Sequence, residues 1–305
     1  MTIAPAPASA PVDPAPDAAA VVRPRTNWTP YWLLGPGLLW LFVLFVLPIA
    51  VLFATSLQTR VPGGDVNEFQ PDLRVANYTD AVGEYVSQFG RSFGYAAIAT
   101  ALALLIAYPL AYMIAFKAGA LRNLLLVLVV APFFTSFILR TVAWRQILAD
   151  EGWVVQTIKF LHLIPADAKV TASAFAVVAG ITYNFLPFMT LPLYASLERI
   201  DPRLIEAGGD LYANGFTVLR KVTIPLSMPG IVAGTLLTFI PAAGDYVNAA
   251  LLGNTRTPMI GNVIESRFLR IVDYPTAAAL SFILMAAILV LVTLYIRRAG
   301  TEELV

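Results

Sequence analysis

Residues 198–228 read ERIDPRLIEAGGDLYANGFTVLRKVTIPLSM, a polar insert of 31 residues between two long apolar segments. Asp201 can cap a helix, and Pro202 suits the first helical position. An apolar stripe at helical spacing follows, and the pair Asn214–Gly215 is a turn signal. A second stripe ends where Pro225 stops it. The insert is therefore predicted to form two short amphipathic helices.

The apolar faces of these two helices need something to cover them. The first face comprises Leu204, Ala207, Gly208 and Leu211, and the second comprises Phe216, Leu219 and Val222. A soluble partner could bind there, or the faces could pack against the helix ends of the chain itself. The residues alone do not separate these two interpretations.

The spacing within this insert resembles that of a known motif. Glu206-Ala207-Gly208, Tyr212 and Val222-x-Ile224-Pro225 are similar to the EAA loop of binding-protein-dependent ABC importer permeases, with every spacing kept. The family pattern is Glu-Ala-Ala, three residues, Gly, nine residues and Ile-x-Leu-Pro, so Gly208 and Tyr212 depart from it. In the family this loop docks on the ATPase and couples hydrolysis to helix movement. The resemblance implies an ATPase-coupling role for Glu206, Ala207, Gly208, Asp210, Leu211 and Gly215.

Composition excludes an ordinary soluble domain. The chain has 305 residues, of which 58% are hydrophobic and 13% are charged, whereas about a quarter of the residues of soluble domains are charged. A net charge of +1 gives no indication of nucleic-acid binding, and the lack of cysteine excludes disulfides and thiolate sites. The single histidine, His162, is predicted to be structural, and no catalytic or metal site is expected.

The apolar residues predict an all-α polytopic membrane protein with six transmembrane helices. A span needs about 20 mostly apolar residues. Stretches of this kind lie at residues 33–57, 92–116, 121–139, 171–197, 228–252 and 277–296, with 141–148 either extending the third or forming an interfacial helix. The membrane domain covers residues 31–300 and includes the loop 198–228. Residues 1–30, rich in Pro and Ala, are predicted to be a disordered cytoplasmic tail, and residues 301–305 a second short tail.

Small residues recur at four-residue spacing on two of these spans. They are Ala99, Ala103, Ala107, Ala111 and Ala115 on the second span, and Gly230 and Gly234 on the fifth. Such spacing lets helix backbones approach closely, either within this chain or at a subunit interface.

The positive charges give only a slight indication of orientation. Lys and Arg are equally numerous on the two sides, although Lys117 and Arg122 in one short loop and Arg297 and Arg298 after the last span favour both termini inside. The resemblance gives the same orientation, because an EAA loop must face the cytoplasm, where the ATPase is.

Asp245 is the only acidic residue well inside a predicted span. A charge there costs about 2.5–3.5 kcal/mol on insertion scales, so it should face a water-filled path or a partner. Asn248 lies on the same face, and Tyr246, Tyr183 and Asn184 are further polar candidates for a substrate path. A cation would be attracted by the carboxylate and by the tyrosine rings. The alternative is that Asp245 lies near the outer surface or pairs with a buried arginine.

Three function classes could account for parts of this sequence. An importer permease explains the insert and the six spans, and the absence of Gly-x4-Gly-Lys-Ser/Thr then requires a separate ATPase. An ion-coupled secondary transporter would use Asp245, but such proteins usually have more spans and an internal repeat. An intramembrane aspartyl protease needs a second aspartate in the spans, which this sequence lacks.

Further segments look like the first of the two permeases of spermidine/putrescine importers. They are residues 183–197, 228–244, 251–254, 259–262 and 140–144. The resemblance implies a bacterial inner-membrane complex with a second, different permease, two copies of a cytoplasmic ATPase that bind ATP and Mg²⁺, and an extracytoplasmic polyamine-binding protein. No cofactor is expected in this chain. Permeases for ferric iron, sulfate, thiamine or phosphonates share the architecture, so the substrate stays open among these.

Overall fold

The computed structural model describes residues 29–61, 63, 65, 68–162, 164–210 and 214–299. Their α-helices are α1 Thr29–Leu41, α2 Leu47–Ser56, α3 Ala76–Phe116, α4 Arg122–Val130, α5 Phe137–Ile147, α6 Trp153–Phe160, α7 Ala174–Glu198, α8 Pro202–Asp210, α9 Gly215–Val218, α10 Ile224–Leu226, α11 Met228–Ala243, α12 Val247–Leu252, α13 Ile260–Glu265 and α14 Tyr274–Ala299. Strands β1 Gln58–Arg60 and β2 Phe69–Pro71 pair antiparallel. The all-α prediction is confirmed. Residues 1–28 and 301–305, most of the two predicted tails, lie outside the described residues.

Four helical segments are long and apolar enough to cross a membrane. They are Leu33–Ser56, Ala76–Phe116, Ala174–Glu198 and Tyr274–Arg298. Two bent pairs, Gly119–Phe134 with Phe137–Ile147 and Gly215–Leu226 with Met228–Ala243, bring the count to six when each pair is taken as one span. Hydropathy therefore found all six regions, but their shapes differ from the prediction in four places.

The third predicted span is not one helix. A 3₁₀ turn, Ala131–Phe134, follows α4 and contains Pro132, and the chain then turns by 98° into α5. Thr135 is extended, and its hydroxyl donates to the Pro132 carbonyl at 2.7 Å. Proline removes one backbone donor. The Pro132 carbonyl at the break accepts both the Thr135 hydroxyl and, at 3.1 Å, the Thr135 backbone N–H. Thr141 and the residues up to Ile147 therefore lie in a separate helix, α5, which turns away from α4 instead of continuing it.

The fifth predicted span ends early, at Ala243 instead of residue 252. The helix stops at Gly244, and the side chain of Asp245 accepts a hydrogen bond from the backbone N–H of Asn248 at 2.8 Å, at the first turn of α12. An aspartate that bonds to a nearby backbone N–H favours a helix start over a helix interior. Asp245 thus lies in a break between two helices.

The first and second spans differ from their predictions for other reasons. In the first, a π-helical segment, Phe42–Val46, separates α1 from α2 and ends two residues before Pro48. A proline cannot donate to the preceding turn, and a π-bulge accommodates that loss. The second helix begins at Ala76, well before the apolar stretch that starts at residue 92. Hydropathy detects only the part of a helix that is apolar enough to lie in lipid.

Helices α3, α7 and α11 pack closely in the unit that begins at Val51. The stripe on α3 faces inward, since Ala99, Ala103, Ala107 and Ala111 are fully buried. On α11, a methyl group at Gly230 would lie 2.5 Å from the Ser196 Cβ and 2.7 Å from the Pro192 carbonyl oxygen of α7. The described contacts therefore assign both small-residue stripes to packing within this chain.

The close approach at Gly230 predicts a cost for adding a single methyl group. Gly230→Ala would push α11 away from the α7 backbone and destabilise the folded protein by about 1–3 kcal/mol, measured as a lower thermal midpoint in detergent. Gly94→Ala in α3 is the matched control, because nothing lies within 4 Å of its would-be Cβ. That substitution should leave the midpoint unchanged or raise it slightly, since alanine favours helix. Equal midpoints for the two variants would contradict this account of the packing.

Candidate coupling loop and membrane polar cluster

Two helical segments form in the insert, as predicted, but the second, α9, continues through a π-helical stretch, Leu219–Thr223, into α10 instead of stopping at Pro225. Helix α8 begins at Pro202, and Asp201 Oδ1 accepts the backbone N–H of Arg203 at 3.0 Å. Helix α9 begins at Gly215, and Asn214 Oδ1 accepts the backbone N–H of Thr217 at 2.8 Å. Side chains at the two starts thus satisfy donors that helices leave unpaired. Leu211, Tyr212 and Ala213 lie outside the described residues, as does the side chain of Asp210, which ends α8.

The apolar residues of these helices point in two directions. Ile205 packs against the core cluster at the ends of α3 and α7, and Val218 is buried. Leu204 is 49% exposed and Phe216 is 71% exposed, and Glu206 and Ala207 are also exposed. The chain covers one face of the insert and leaves another apolar face open.

Gly208 is a close contact between α8 and α9. A Cβ atom at this position would lie 3.1 Å from Val218 Cγ2 and 3.3 Å from Val218 Cγ1. An alanine there would require the valine to move by a few tenths of an ångström. The substitution of glycine for the second alanine of the EAA pattern therefore has a physical reason in the tight packing of this loop.

A buried hydroxyl pair lies where the loop joins the fifth span. The chain bends by 69° between α10 and α11, at Ser227. The Ser227 hydroxyl is within 2.9 Å of the Tyr108 hydroxyl of α3 and donates to the Ile224 carbonyl at 3.1 Å. Since Ser227 is fully buried, these bonds connect the bend to the packed helices.

A chain of buried polar groups connects α5, α7 and the break after α11. Asn184 Nδ2 donates to Asn248 Oδ1 at 3.0 Å and to Thr141 Oγ1 at 3.2 Å. Asn248 Nδ2 in turn donates to Asp245 Oδ2 at 2.7 Å. Asp245 is 7% exposed and Asn184 is 1% exposed. We call Thr141, Asn184, Asp245 and Asn248 the polar cluster.

The polar cluster brings three of the five predicted path residues together and leaves two beside it. Tyr183 packs on Trp144, with ring centroids 5.2 Å apart. The backbone carbonyl of Tyr246 accepts a hydrogen bond from Asn262 Nδ2 at 2.8 Å, and its side chain is about half exposed. Buried polar groups are usually hydrogen-bonded, and the Asn184 Oδ1 atom has no partner among the described residues.

Sequence reasoning missed Thr141 and the Tyr108–Ser227 pair. A hydroxyl in an apolar stretch can bond to its own helix, and Thr141 also does so with the Phe137 carbonyl at 3.1 Å. Its second bond joins it to Asn184, 43 residues away. Spacing along one helix carries no signal for such a contact.

Long packed helices and broken spans define a polytopic α-helical membrane protein, and its capped two-helix loop exposes an apolar face. A family model described as "Binding-protein-dependent transport system inner membrane component" matches residues 99–299. The chain belongs to this family of inner-membrane permease subunits.

Similar proteins include "Spermidine/putrescine transport system permease protein PotB" of Haemophilus influenzae, 36% identical over 85% of this chain and 90% of that protein. The protein of the same name in Escherichia coli is 34% identical over 85% of this chain and 93% of its own length. Among solved structures, a bacterial ABC transporter that imports the acidic polysaccharide alginate matches with a TM-score of 0.65. It is 18% identical and covers 90% of this chain and 96% of its own, so it supports the fold alone.

Removal of one polar-cluster amide should destabilise the protein. Asn248→Ala would leave the buried Asp245 Oδ2 without its side-chain partner and remove one of the two bonds that Asn184 Nδ2 donates, at a cost of about 1–3 kcal/mol. The measurement is the thermal midpoint of the purified permease. Asn123→Ala applies the same change to an exposed residue of α4 and should leave the midpoint unchanged. A midpoint equally unaffected in both variants would show that the cluster contributes nothing to stability.

Proposed function

We propose that this chain is a membrane subunit of an ATP-driven importer that carries polyamines. It would form half of the translocation path together with a second, different permease. Two copies of a cytoplasmic ATPase would bind ATP and Mg²⁺, so this chain would need no cofactor of its own. An extracytoplasmic binding protein would deliver the substrate.

The open face of the α8–α9 loop is the observation that carries the proposal. Leu204 and Phe216 expose large apolar side chains beside the exposed Ala207, while Ile205 packs the same loop against the core and Val218 is buried against Gly208 within the loop. A face held rigidly from behind and open in front suits a soluble partner that pushes on the helices. The ATPase is the partner that the family resemblance implies for this loop.

Both termini are proposed to face the cytoplasm. With an even number of spans they lie on the same side, and the docking loop must face the compartment that holds the ATPase. A solved relative of the fold is described in complex with an alginate-pentasaccharide-bound periplasmic protein, at a TM-score of 0.56. That neighbour supports the general assembly with a binding protein on the other side.

Polyamines are the substrate class that the observations favour. The similar PotB proteins are named for spermidine and putrescine transport. The acidic side chain of the polar cluster, Asp245, would attract a protonated amine and repel sulfate or a phosphonate. Ferric iron and thiamine, which are also cationic, stay as alternatives for the experiment to separate.

The transport cycle follows from these parts. ATP binding closes the ATPase dimer, the α8–α9 loop passes that motion to α7 and α11, and the path opens outward. Substrate enters from the binding protein and leaves inward after hydrolysis. The break at residues 244–246 is the point at which α11 can move separately from α12, because no continuous helix joins them.

A charge on the docking face should uncouple the complex. Ala207→Asp places a carboxylate on the exposed surface of α8, where its desolvation would oppose docking. Polyamine uptake and ATP hydrolysis stimulated by the loaded binding protein should both fall about tenfold or more, with normal membrane insertion. The assay compares a panel of binding proteins loaded with spermidine, ferric iron or thiamine.

The matched control is Ala166→Asp, an exposed position outside this loop. It should keep uptake and hydrolysis at the level of the unmodified complex. Intact coupled hydrolysis in Ala207→Asp would count against the docking assignment. If the binding protein loaded with ferric iron or thiamine stimulates hydrolysis and the one loaded with spermidine does not, the polyamine assignment is wrong.

Loss of the Asp245 charge should slow the movement of a cationic substrate. Asp245→Asn keeps the size of the side chain and an oxygen that can accept the Asn248 N–H bond. A charged polar contact contributes about 1–3 kcal/mol, so uptake with saturating binding protein should drop roughly tenfold or more. Basal ATP hydrolysis should change much less.

Two comparisons isolate the charge in this test. Asp167→Asn removes an exposed carboxylate elsewhere and should leave uptake unchanged. Asn248→Ala perturbs the polar cluster but keeps the carboxylate, so it should reduce uptake less than Asp245→Asn does. Unchanged uptake in Asp245→Asn would remove this residue from the path while leaving the importer assignment standing.

A further inference from the structure

One arginine joins the start of α4 to the end of α7. Arg122 Nε donates to the hydroxyl of Tyr194, and Arg122 Nη2 donates to the carboxylate of Glu198. The guanidinium also lies over the Tyr194 ring, 5.1 Å from its centroid. Tyr194 is buried, whereas Arg122 and Glu198 are partly exposed. These three side chains form what we call the α4–α7 clamp.

Both charges of the clamp lie at helix ends that do not favour them. Arg122 is the first residue of α4, where the helix dipole is positive, and Glu198 is the last residue of α7, where it is negative. Each charge therefore opposes the dipole of its own helix. Neither charge stabilises its own helix. The ion pair between the two helices offsets the unfavourable interaction of each charge with its helix dipole.

The clamp lies directly beside the loop proposed to dock the ATPase. Glu198 ends α7, and α8 begins only four residues later, at Pro202. Ile205 of α8 packs against the cluster that contains Tyr194 and Leu197, and Leu125 of α4 packs against that same cluster. Two sets of contacts thus connect the loop to α4. One is the apolar cluster that Ile205 and Leu125 share, and the other is the polar contact between Arg122 and the end of α7.

We propose that Arg122 and Glu198 are positioning residues for energy coupling, which transmit movement of the α8–α9 loop to α4, the inner arm of the broken third span. The inference rests on the proposed function and deepens it. Apolar surfaces in contact can slide past each other. A guanidinium that donates to two different acceptors holds the two helix ends in one relative position. Without the clamp, movement of the loop would shift α7 and α11 without carrying α4 with them.

The chemistry of the clamp separates arginine from lysine. Arg122 contacts a hydroxyl and a carboxylate with two different nitrogens, and a lysine ammonium cannot reproduce that fork. Arg122→Lys should therefore couple less well than the unmodified protein and better than Arg122→Gln. An exchange of the charges, Arg122→Glu with Glu198→Arg, would restore the attraction and place each charge at the helix end that favours it.

The test measures substrate carried per ATP hydrolysed in the whole complex, reconstituted with the spermidine-loaded binding protein. Glu198→Gln and Arg122→Gln should each lower this ratio by about threefold or more, while the ATPase still co-purifies and hydrolyses ATP. The double exchange restores the ion pair without the guanidinium bond to Tyr194, so its ratio should lie above that of either single variant and below that of the unmodified complex. Glu265→Gln is the matched control, since Glu265 pairs with Arg270 in a separate ion pair, and its ratio should be unchanged.

Each outcome decides one point. An unchanged ratio in both single variants would overturn the inference, as would a loss explained by dissociation of the ATPase, which is the result expected of Ala207→Asp instead. A ratio lowered to the same extent by Glu265→Gln would show a general effect of removing ion pairs and also overturn it. An unmodified complex that shows no coupled uptake would overturn both this inference and the proposed function.

Discussion

Backbone hydrogen bonding in lipid is the constraint on which the rest of this structure depends. Where water is absent, every interruption of a helix must be repaired by protein groups. At the break in the third span the Pro132 carbonyl accepts the Thr135 hydroxyl, at the bend before α11 the Ser227 and Tyr108 hydroxyls pair, and after α11 the Asp245 carboxylate accepts the Asn248 backbone N–H. Polar side chains thus collect where the helices bend, and a bend is also where one helical segment can move relative to another. The same constraint places the candidate path and the candidate hinges together.

Close packing decides which parts of the chain move as one. The buried alanines of α3 and the glycines of α11 bring these helices close to α7, as at Gly230, where a Cβ atom would lie 2.7 Å from the Pro192 carbonyl oxygen. An interior packed in this way transmits displacement instead of absorbing it. The α8–α9 loop is attached to that packed region through Ile205 and through the Tyr108–Ser227 pair. A force applied to the loop therefore acts on several spans at once.

The sequence was informative wherever the signal is local and limited wherever it depends on contacts between distant residues. Helical spacing, Asp201 and Asn214 were enough to predict α8 and α9, because caps and stripes lie within a few residues of the helix they define. Pro132 and Pro241 indicate interrupted backbone bonding in the third and fifth spans, but the positions and angles of the breaks were not predicted, because hydropathy only sums apolar residues. The Arg122–Glu198 pair joins residues 76 positions apart, and no local pattern relates them.

The hydrogen bonds of Asp245 in the polar cluster bear both on substrate binding and on the movement of α11. Both oxygens of Asp245 already accept hydrogen bonds from Asn248, so an ammonium group could bind only by sharing or replacing those bonds. Replacement requires the break at residues 244–246 to change shape, and α11, on one side of that break, begins at the bend beside the docking loop. If Asp245 contributes to the path, its availability to substrate would then depend on the position of α11. Binding energy and ATP-driven movement would act on the same segment, and neither could be altered without affecting the other.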